Sequence, residues 1–190
     1  MRAFIAIELP QEVRAVLARL QERLATAKAD VKWTQGNDLH VTMRFLGDID
    51  EAQRQGVEAL LERVAQEQEP FTLSVGGAGA FPSIEAPRVI WAGLAEGGDC
   101  VRRLAEAIER EGVAIPLRRE ERSLSAHITL GRARSSKGLK ALAQQMRGVA
   151  WQAPAPWRVT TLTLYQSVLT PTGPRYTVLA EAPLGARRSR

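Results

Sequence analysis

Leu39-His40-Val41-Thr42-Met43 and Ala126-His127-Ile128-Thr129-Leu130 read alike. Each is a histidine, a β-branched apolar residue, a threonine and a second apolar residue. The chain has two histidines, and both stand in this pattern. Thr is scarce, so a Thr two positions after both histidines arises by chance roughly 0.3% of the time. In a strand, side chains alternate between faces. His40 and Thr42 therefore share one face, with Val41 and Met43 on the other. His127 and Thr129 share a face in the same way, opposite Ile128 and Leu130. Each apolar side anchors its strand on a core, and each His–Thr side is free to line a cleft.

Outward from these strands the chain is read as alternating elements. Phe4 to Leu9 is a strand closed by Pro10. Val13, Val16, Leu17, Leu20 and Leu24 follow helical spacing. Val31-Lys32-Trp33-Thr34 is a short strand, and Gln35-Gly36-Asn37-Asp38 a turn. After the first His strand, Asp48 or Asp50 is placed to cap a helix whose stripe is Val57, Leu60, Leu61 and Val64. Phe71 to Val75 alternates as a strand and enters Gly76-Gly77-Ala78-Gly79. The order then restarts. Val89 to Leu94 is a strand, and Val101, Leu104, Ala105 and Ile108 mark a helix. Ala114 to Leu117 and the charged stretch Arg118 to Arg122 precede the second His strand. Lys137 to Met146 is a helix and Trp157 to Leu164 one strand. Tyr165 to Leu169 and Tyr176 to Ala180 form a hairpin around a turn at 171–174.

Equivalent points recur at a near-constant offset. Leu9 and Leu94 lie 85 positions apart, the histidines 87, and Phe71 and Val159 88. This spacing points to an internal duplication, with lobe-forming repeats at about 1–82 and 87–183. The expected fold is α+β: a duplicated bilobal domain over 1–183, two antiparallel-rich sheets facing a central cleft, and helices packed outside. Residues 184–190 read as a basic, flexible tail.

Composition narrows the function classes. Among 190 residues, 45% are hydrophobic and 25% charged, as in ordinary globular chains. No apolar run is long enough to span a bilayer, and the N-terminus lacks a signal-peptide layout. With Cys100 as the one cysteine, a disulfide framework and a Cys-based zinc site are excluded, and a reducing, cytoplasmic setting is expected. The net charge of +5 favours an anionic partner.

Two imidazoles on opposite sides of a substrate can serve as general base and general acid, since they titrate near working pH. Two Thr hydroxyls can donate to phosphate oxygens between them. In-line attack at phosphorus needs this layout, with no metal or cofactor required. The motifs are symmetric, so this chemistry alone leaves the acid and base roles interchangeable.

The motifs, with Arg2 to Ile7, Val31-Lys32-Trp33, Met43 to Gly47, Gly79-Ala80-Phe81-Pro82, Pro87 to Gly93, Leu130-Gly131-Arg132, Leu164 to Ser167 and Gly173 to Tyr176, resemble the 2H phosphoesterase superfamily. The similarity is greatest to its bacterial and archaeal RNA 2′,3′-cyclic phosphodiesterases, also called 2′-5′ RNA ligases. Ala126 departs from the Pro that often precedes the second His. The resemblance implies metal-independent hydrolysis of a terminal 2′,3′-cyclic phosphate on RNA to a 2′-phosphate, by a monomer. It implies His40 as proton donor, His127 as proton acceptor, and Thr42 and Thr129 as phosphate ligands. It also makes Arg132 a phosphate or RNA contact, although strict alternation puts Arg132 opposite His127 unless a bulge at Gly131 re-aims it. By the same alternation Arg44 falls on the His40 face as a further candidate ligand. Phe45 is a candidate for base stacking, but its parity with Val41 and Met43 favours the core. Trp33, Trp91 and Tyr165 read as core or cleft wall. Ligation, opening of a small cyclic nucleotide and non-catalytic binding of RNA ends are the alternative activities.

Overall fold

The computed structural model describes residues 1–117, 125–171 and 173–185. The charged stretch at 118–122, position 172 of the expected turn and the end of the expected tail lie outside the described residues. The elements run β1 (Arg2–Glu8), α1 (Gln11–Ala25), β2 (Val31–Trp33), β3 (His40–Asp48), α2 (Glu51–Glu67), β4 (Phe71–Pro82), β5 (Pro87–Glu96), α3 (Gly98–Glu111), β6 (His127–Ala133), α4 (Leu139–Gly148), β7 (Trp157–Val159), β8 (Thr161–Thr170) and β9 (Gly173–Pro183). The α+β expectation holds, and the periodicities set these elements for the expected reasons. Val13, Leu17, Leu20 and Leu24 are the buried stripe of α1, and Val57, Leu60, Leu61 and Val64 that of α2. Asp50, not Asp48, caps α2. Its carboxylate accepts from the Gln53 N–H at 2.8 Å, and the Gln53 side-chain oxygen accepts from the Asp50 N–H at 2.9 Å. No helix among the described residues is long and apolar enough to cross a membrane.

Two expected boundaries shift. The segment expected as one strand from Trp157 to Leu164 is broken at Thr160 into β7 and β8. Its first part pairs with β4, as Leu73 opposite Trp157, and its second with β1 and β9. The glycine-rich stretch 76–79 continues β4 through a register shift between Val75 and Ala78, with Gly77 at φ +73°. Gly79 is required by packing, because a Cβ there would collide with the Trp91 indole.

The strands lie in the order β7-β4-β5-β6-β3-β1-β8-β9, all neighbours antiparallel, with β2 on β6. One arm is β7-β4-β5-β6 and the other β3-β1-β8-β9. They join at the pair Val41–Ile128, both fully buried. Each arm takes strands from both sequence repeats. β4, from the first, pairs with β5 of the second, and β8 of the second pairs with β1 of the first.

Both His strands carry a bulge at the same motif position. On β3, Ala6 faces Thr42 while Ile5 faces Arg44, so Met43 is the extra residue. On β6, Trp91 faces Thr129 while Ile90 faces Gly131, so Leu130 is the extra residue. A bulge sets two residues against one and reverses the alternation beyond it. The helices behind hold both bulges. The Gln21 amide of α1, 8% exposed, donates to the carbonyls of Leu130 at 2.7 Å and Thr34 at 2.8 Å. On the other arm Arg44 donates to the carbonyl of Ile108 at 3.4 Å and pairs with Glu109 at 3.0 Å, both on α3. Replacing Gln21 by Met keeps the volume and removes both buried donations. We expect Gln21→Met to lower unfolding stability by about 1–2 kcal/mol, measured by chemical denaturation; an unchanged midpoint would mean that the amide does not hold the β6 bulge.

Candidate active site

Around Val41–Ile128, antiparallel counting sets His40 beside Thr129 and Thr42 beside His127. The four side chains lie on the face opposite the buried Val41 and Ile128. The two histidines are diagonal neighbours in this ladder, which sets the two residues about 7–8 Å apart, their Cβ atoms somewhat closer. A tetrahedral phosphate fits between imidazoles at that spacing, with one hydroxyl on each side. The two rings are close enough for charge on His127 to act on His40.

Each imidazole is oriented by its own chain two residues back. His40 Nδ1 lies 2.7 Å from the Asp38 carbonyl oxygen, and His127 Nδ1 lies 2.5 Å from that of Ser125. A carbonyl only accepts, so each Nδ1 carries the proton and donates it. The neutral tautomer is thereby set, and each Nε2 keeps a free lone pair. The turn expected over Gln35 to Asp38 contains a 3₁₀ turn at Gly36–Asp38 that presents the Asp38 carbonyl to His40.

Aromatic rings wall both histidines. Phe4 stacks on His40 at 4.8 Å between centroids, and Tyr176 meets His40 edge-on at 5.5 Å. Tyr165 stacks on the far side of Phe4 at 5.3 Å. On the other arm Phe81 meets His127 edge-on at 5.1 Å and Trp91 at 5.2 Å. Of the expected wall residues, Trp91 and Tyr165 line the cleft, whereas Trp33 packs on the core over Gly131. Phe4 and Tyr176 were not singled out from sequence. Phe4 reads as one more apolar residue of a buried strand, and Tyr176 reaches His40 only through the β8–β9 hairpin.

Burial lowers both histidines. It pushes His40 down to about 4, with the positive charges of Arg14 and His127 adding to the effect and the Asp38 carbonyl opposing it. It also lowers His127 from its ordinary value, and the nearby Arg132 charge adds to this. Both rings are therefore neutral at pH 7 in the empty cleft.

The bulges decide the remaining candidates. Arg132 lies beyond the Leu130 bulge and is exposed. Its charge acts on His127 and Tyr176, which places it at the cleft. Gly131 is buried, with Val31 and Trp33 packed where its Cβ would be. Arg44 departs from the expectation. The Met43 bulge turns it away from the His40 face, and it is 5% exposed beneath the sheet, paired with Glu109. Phe45 is turned the other way. It is 59% exposed and lies 6.1 Å from Phe4, on the cleft side and not in the core. Among the described residues, no three His, Cys, Asp or Glu side chains gather as a metal-ligand set.

The chain matches the family described as LigT like Phosphoesterase over residues 7–91 and 94–176. It belongs to that family. A relative from Methanothermobacter thermautotrophicus, named RNA 2′,3′-cyclic phosphodiesterase, is 33% identical across 93% of this chain and 95% of its own length. One from Thermus thermophilus with the same name is 34% identical, covering 100% of this chain and 93% of its own. Among solved structures, TT0787 of Thermus thermophilus superposes with a TM-score of 0.78 at 31% identity, over 97% of this chain and 98% of that one. E. coli LigT complexed with 3′-AMP superposes with a TM-score of 0.77 at 26% identity, over 96% and 97%. The internal duplication, the mirrored cleft and the family membership converge on one phosphoesterase body.

The depressed histidines predict a linked loss of stability. A ring whose folded value lies below its unfolded value near 6.5 binds fewer protons when folded, so its contribution is full above 6.5 and falls with pH toward about 4. We expect the His40 ring resonances to titrate with a midpoint near 4 and those of His127 below 6.5, by NMR in the ligand-free protein. A normal midpoint for His40 would contradict its burial between Phe4 and Tyr176. Its replacement by Gln is expected to flatten the acid limb of stability between pH 6.5 and 4.

Proposed function

We propose that this phosphoesterase hydrolyses a 2′,3′-cyclic phosphate at an RNA end to a 2′-phosphate, by general acid–base catalysis with no metal ion. The observation that carries the reading is the mirrored quartet, with two Nδ1-anchored imidazoles and two Thr residues on one face around the Val41–Ile128 pair. The names of the relatives at 33% and 34% identity support the same substrate.

In this reading Thr42 and Thr129 donate hydrogen bonds to the two non-bridging oxygens. His127, neutral in the empty cleft, takes a proton from water as the water oxygen bonds to phosphorus. The P–O3′ bond breaks on the opposite side, and His40 protonates the leaving 3′ oxygen. Arg132, exposed at the cleft, supplies positive charge that favours an anionic RNA end. The low value of His40 has a consequence here. A bound anion between the rings favours imidazolium, so substrate loads the acid, and a ring of low basicity gives its proton up readily. The assignment of acid to His40 and base to His127 follows the family resemblance; the near-mirror geometry accommodates it.

With an RNA 5′-hydroxyl in place of water as the attacking group, the same steps form a 2′-5′ bond and release the 3′-hydroxyl. A small cyclic nucleotide also presents a ring phosphodiester, and a non-catalytic end-binder needs only the Thr hydroxyls and Arg132. Two oriented imidazoles favour turnover over binding alone.

An oligonucleotide ending in 2′,3′-cyclic phosphate, incubated in EDTA, is expected to yield a 2′-phosphate. A 3′-phosphate product or a requirement for added metal would overturn the mechanism. His40→Ala and His127→Ala are each expected to lower kcat by at least ~10²-fold, and near-normal turnover in either would remove its assigned role. The kcat/KM profile is expected to be bell-shaped with its maximum on the acid side of 6.5, because both free-enzyme histidines lie below that value. A flat profile between pH 5 and 9 would count against two titrating imidazoles.

A further inference from the structure

In the β2–β6 ladder, Lys32 stands directly opposite Arg132. Residues so paired share one face, with Cβ atoms about 4.5–5.5 Å apart, and like charges there destabilise the sheet. Both are exposed. The face they share is the cleft face. Val31 and Trp33, on either side of Lys32, pack toward the core over Gly131, and the bulge at Leu130 carries Arg132 to the same side as His127 and Thr129. Two other cations of this region are neutralised: Arg134 pairs with Asp30, and Arg14, whose charge reaches His40, pairs with Glu8. Among the described residues, no carboxylate within ion-pair distance answers Lys32 or Arg132. A repulsive pair left unanswered at the mouth of a phosphate cleft is a pair arranged for an external anion.

The spacing along β6 separates that anion from the reacting phosphate. Three residues lead from Thr129 to Arg132, and with the bulge taken out this is roughly 7–10 Å. That is of the order of one nucleotide along a single strand, so the pair is set to meet the phosphate next to the one held by the Thr hydroxyls.

We propose that Lys32, together with Arg132, binds the phosphodiester that joins the terminal nucleotide to the rest of the RNA. This rests on the reading of the cleft as a site for RNA ends, and it adds a backbone subsite on β2. It makes the protein a better enzyme for oligonucleotides than for single nucleoside cyclic phosphates.

Two substrates separate the possibilities: a nucleoside 2′,3′-cyclic phosphate, which lacks the upstream phosphodiester, and an oligonucleotide with the same end. Lys32→Gln is expected to raise KM for the oligonucleotide about five-fold more than for the nucleoside, with the effect on KM and not on kcat, and Lys32→Arg to restore it. Lys140→Gln, on the exposed face of α4, matches the charge change and is expected to reproduce none of it. The salt dependence of binding to a non-reacting oligonucleotide with a 2′-phosphate end is expected to fall in slope by about 0.7 in Lys32→Gln, the value for one single-strand phosphate contact. Equal KM changes for both substrates, or an unchanged slope, would overturn the subsite. If the protein hydrolyses neither substrate, the cyclic-phosphate reading fails. The slope then decides the subsite by itself, kept if it falls and lost if it does not.

Discussion

Val41 and Ile128 meet where the two arms of the sheet join, and much of the site depends on that contact. Both are fully buried, and each sits between a His and a Thr. Strand alternation then leaves the His and Thr side chains no choice but the opposite face. The antiparallel sense sets each His beside the Thr of the other motif. One apolar pair, stable for ordinary reasons of burial, thus orders four polar side chains that are remote in sequence. Within each arm the repeats are mixed by further pairings, β4 with β5 and β1 with β8. A cleft made where equivalent strands pair is shared by construction.

The second constraint is the pair of bulges. Each falls on the last residue of its motif, and each is pinned from behind by a helix, through Gln21 on one arm and Arg44 on the other. The two solutions differ chemically. A neutral amide answers a bulge carbonyl in the first; a buried guanidinium reaches a helix end in the second. Their consequence is the same reversal of faces. Beyond the bulges, Arg44 and Gly131 are buried equivalents, and Phe45 and Arg132 are exposed equivalents at the cleft. The mirrored scaffold therefore carries an aromatic at one end and a cation at the other. This lets a symmetric body bind an asymmetric substrate.

Aromatic packing sets the electrostatics. Phe4, Tyr176 and Phe81 desolvate the imidazoles, and desolvation is the largest cause of their lowered values. The backbone carbonyls of Asp38 and Ser125 work the other way while holding the tautomer. Burial and orientation come from the same contacts, so the rings cannot be exposed without also losing their aim.

The sequence by itself determined the residues capable of chemistry, the helical stripes, the strands and the repeat. These are local or periodic properties, and two histidines in matched motifs leave few alternatives. Strict alternation puts Arg132 opposite His127 unless a bulge re-aims it, and it is the pairing with β5 that supplies that bulge, at Leu130. Alternation failed for Arg44 and Phe45, because nothing within residues 40–48 announces that Met43 is an extra residue. That follows from pairing with β1, more than thirty residues away. The helical stripe of α1 does not single out Gln21, whose acceptor on Leu130 lies 109 residues away. The break at Thr160 and the like-charged pair of Lys32 with Arg132 are of the same kind. Which strand lies beside which is a property of the folded sheet, and tertiary pairing alone decided those faces.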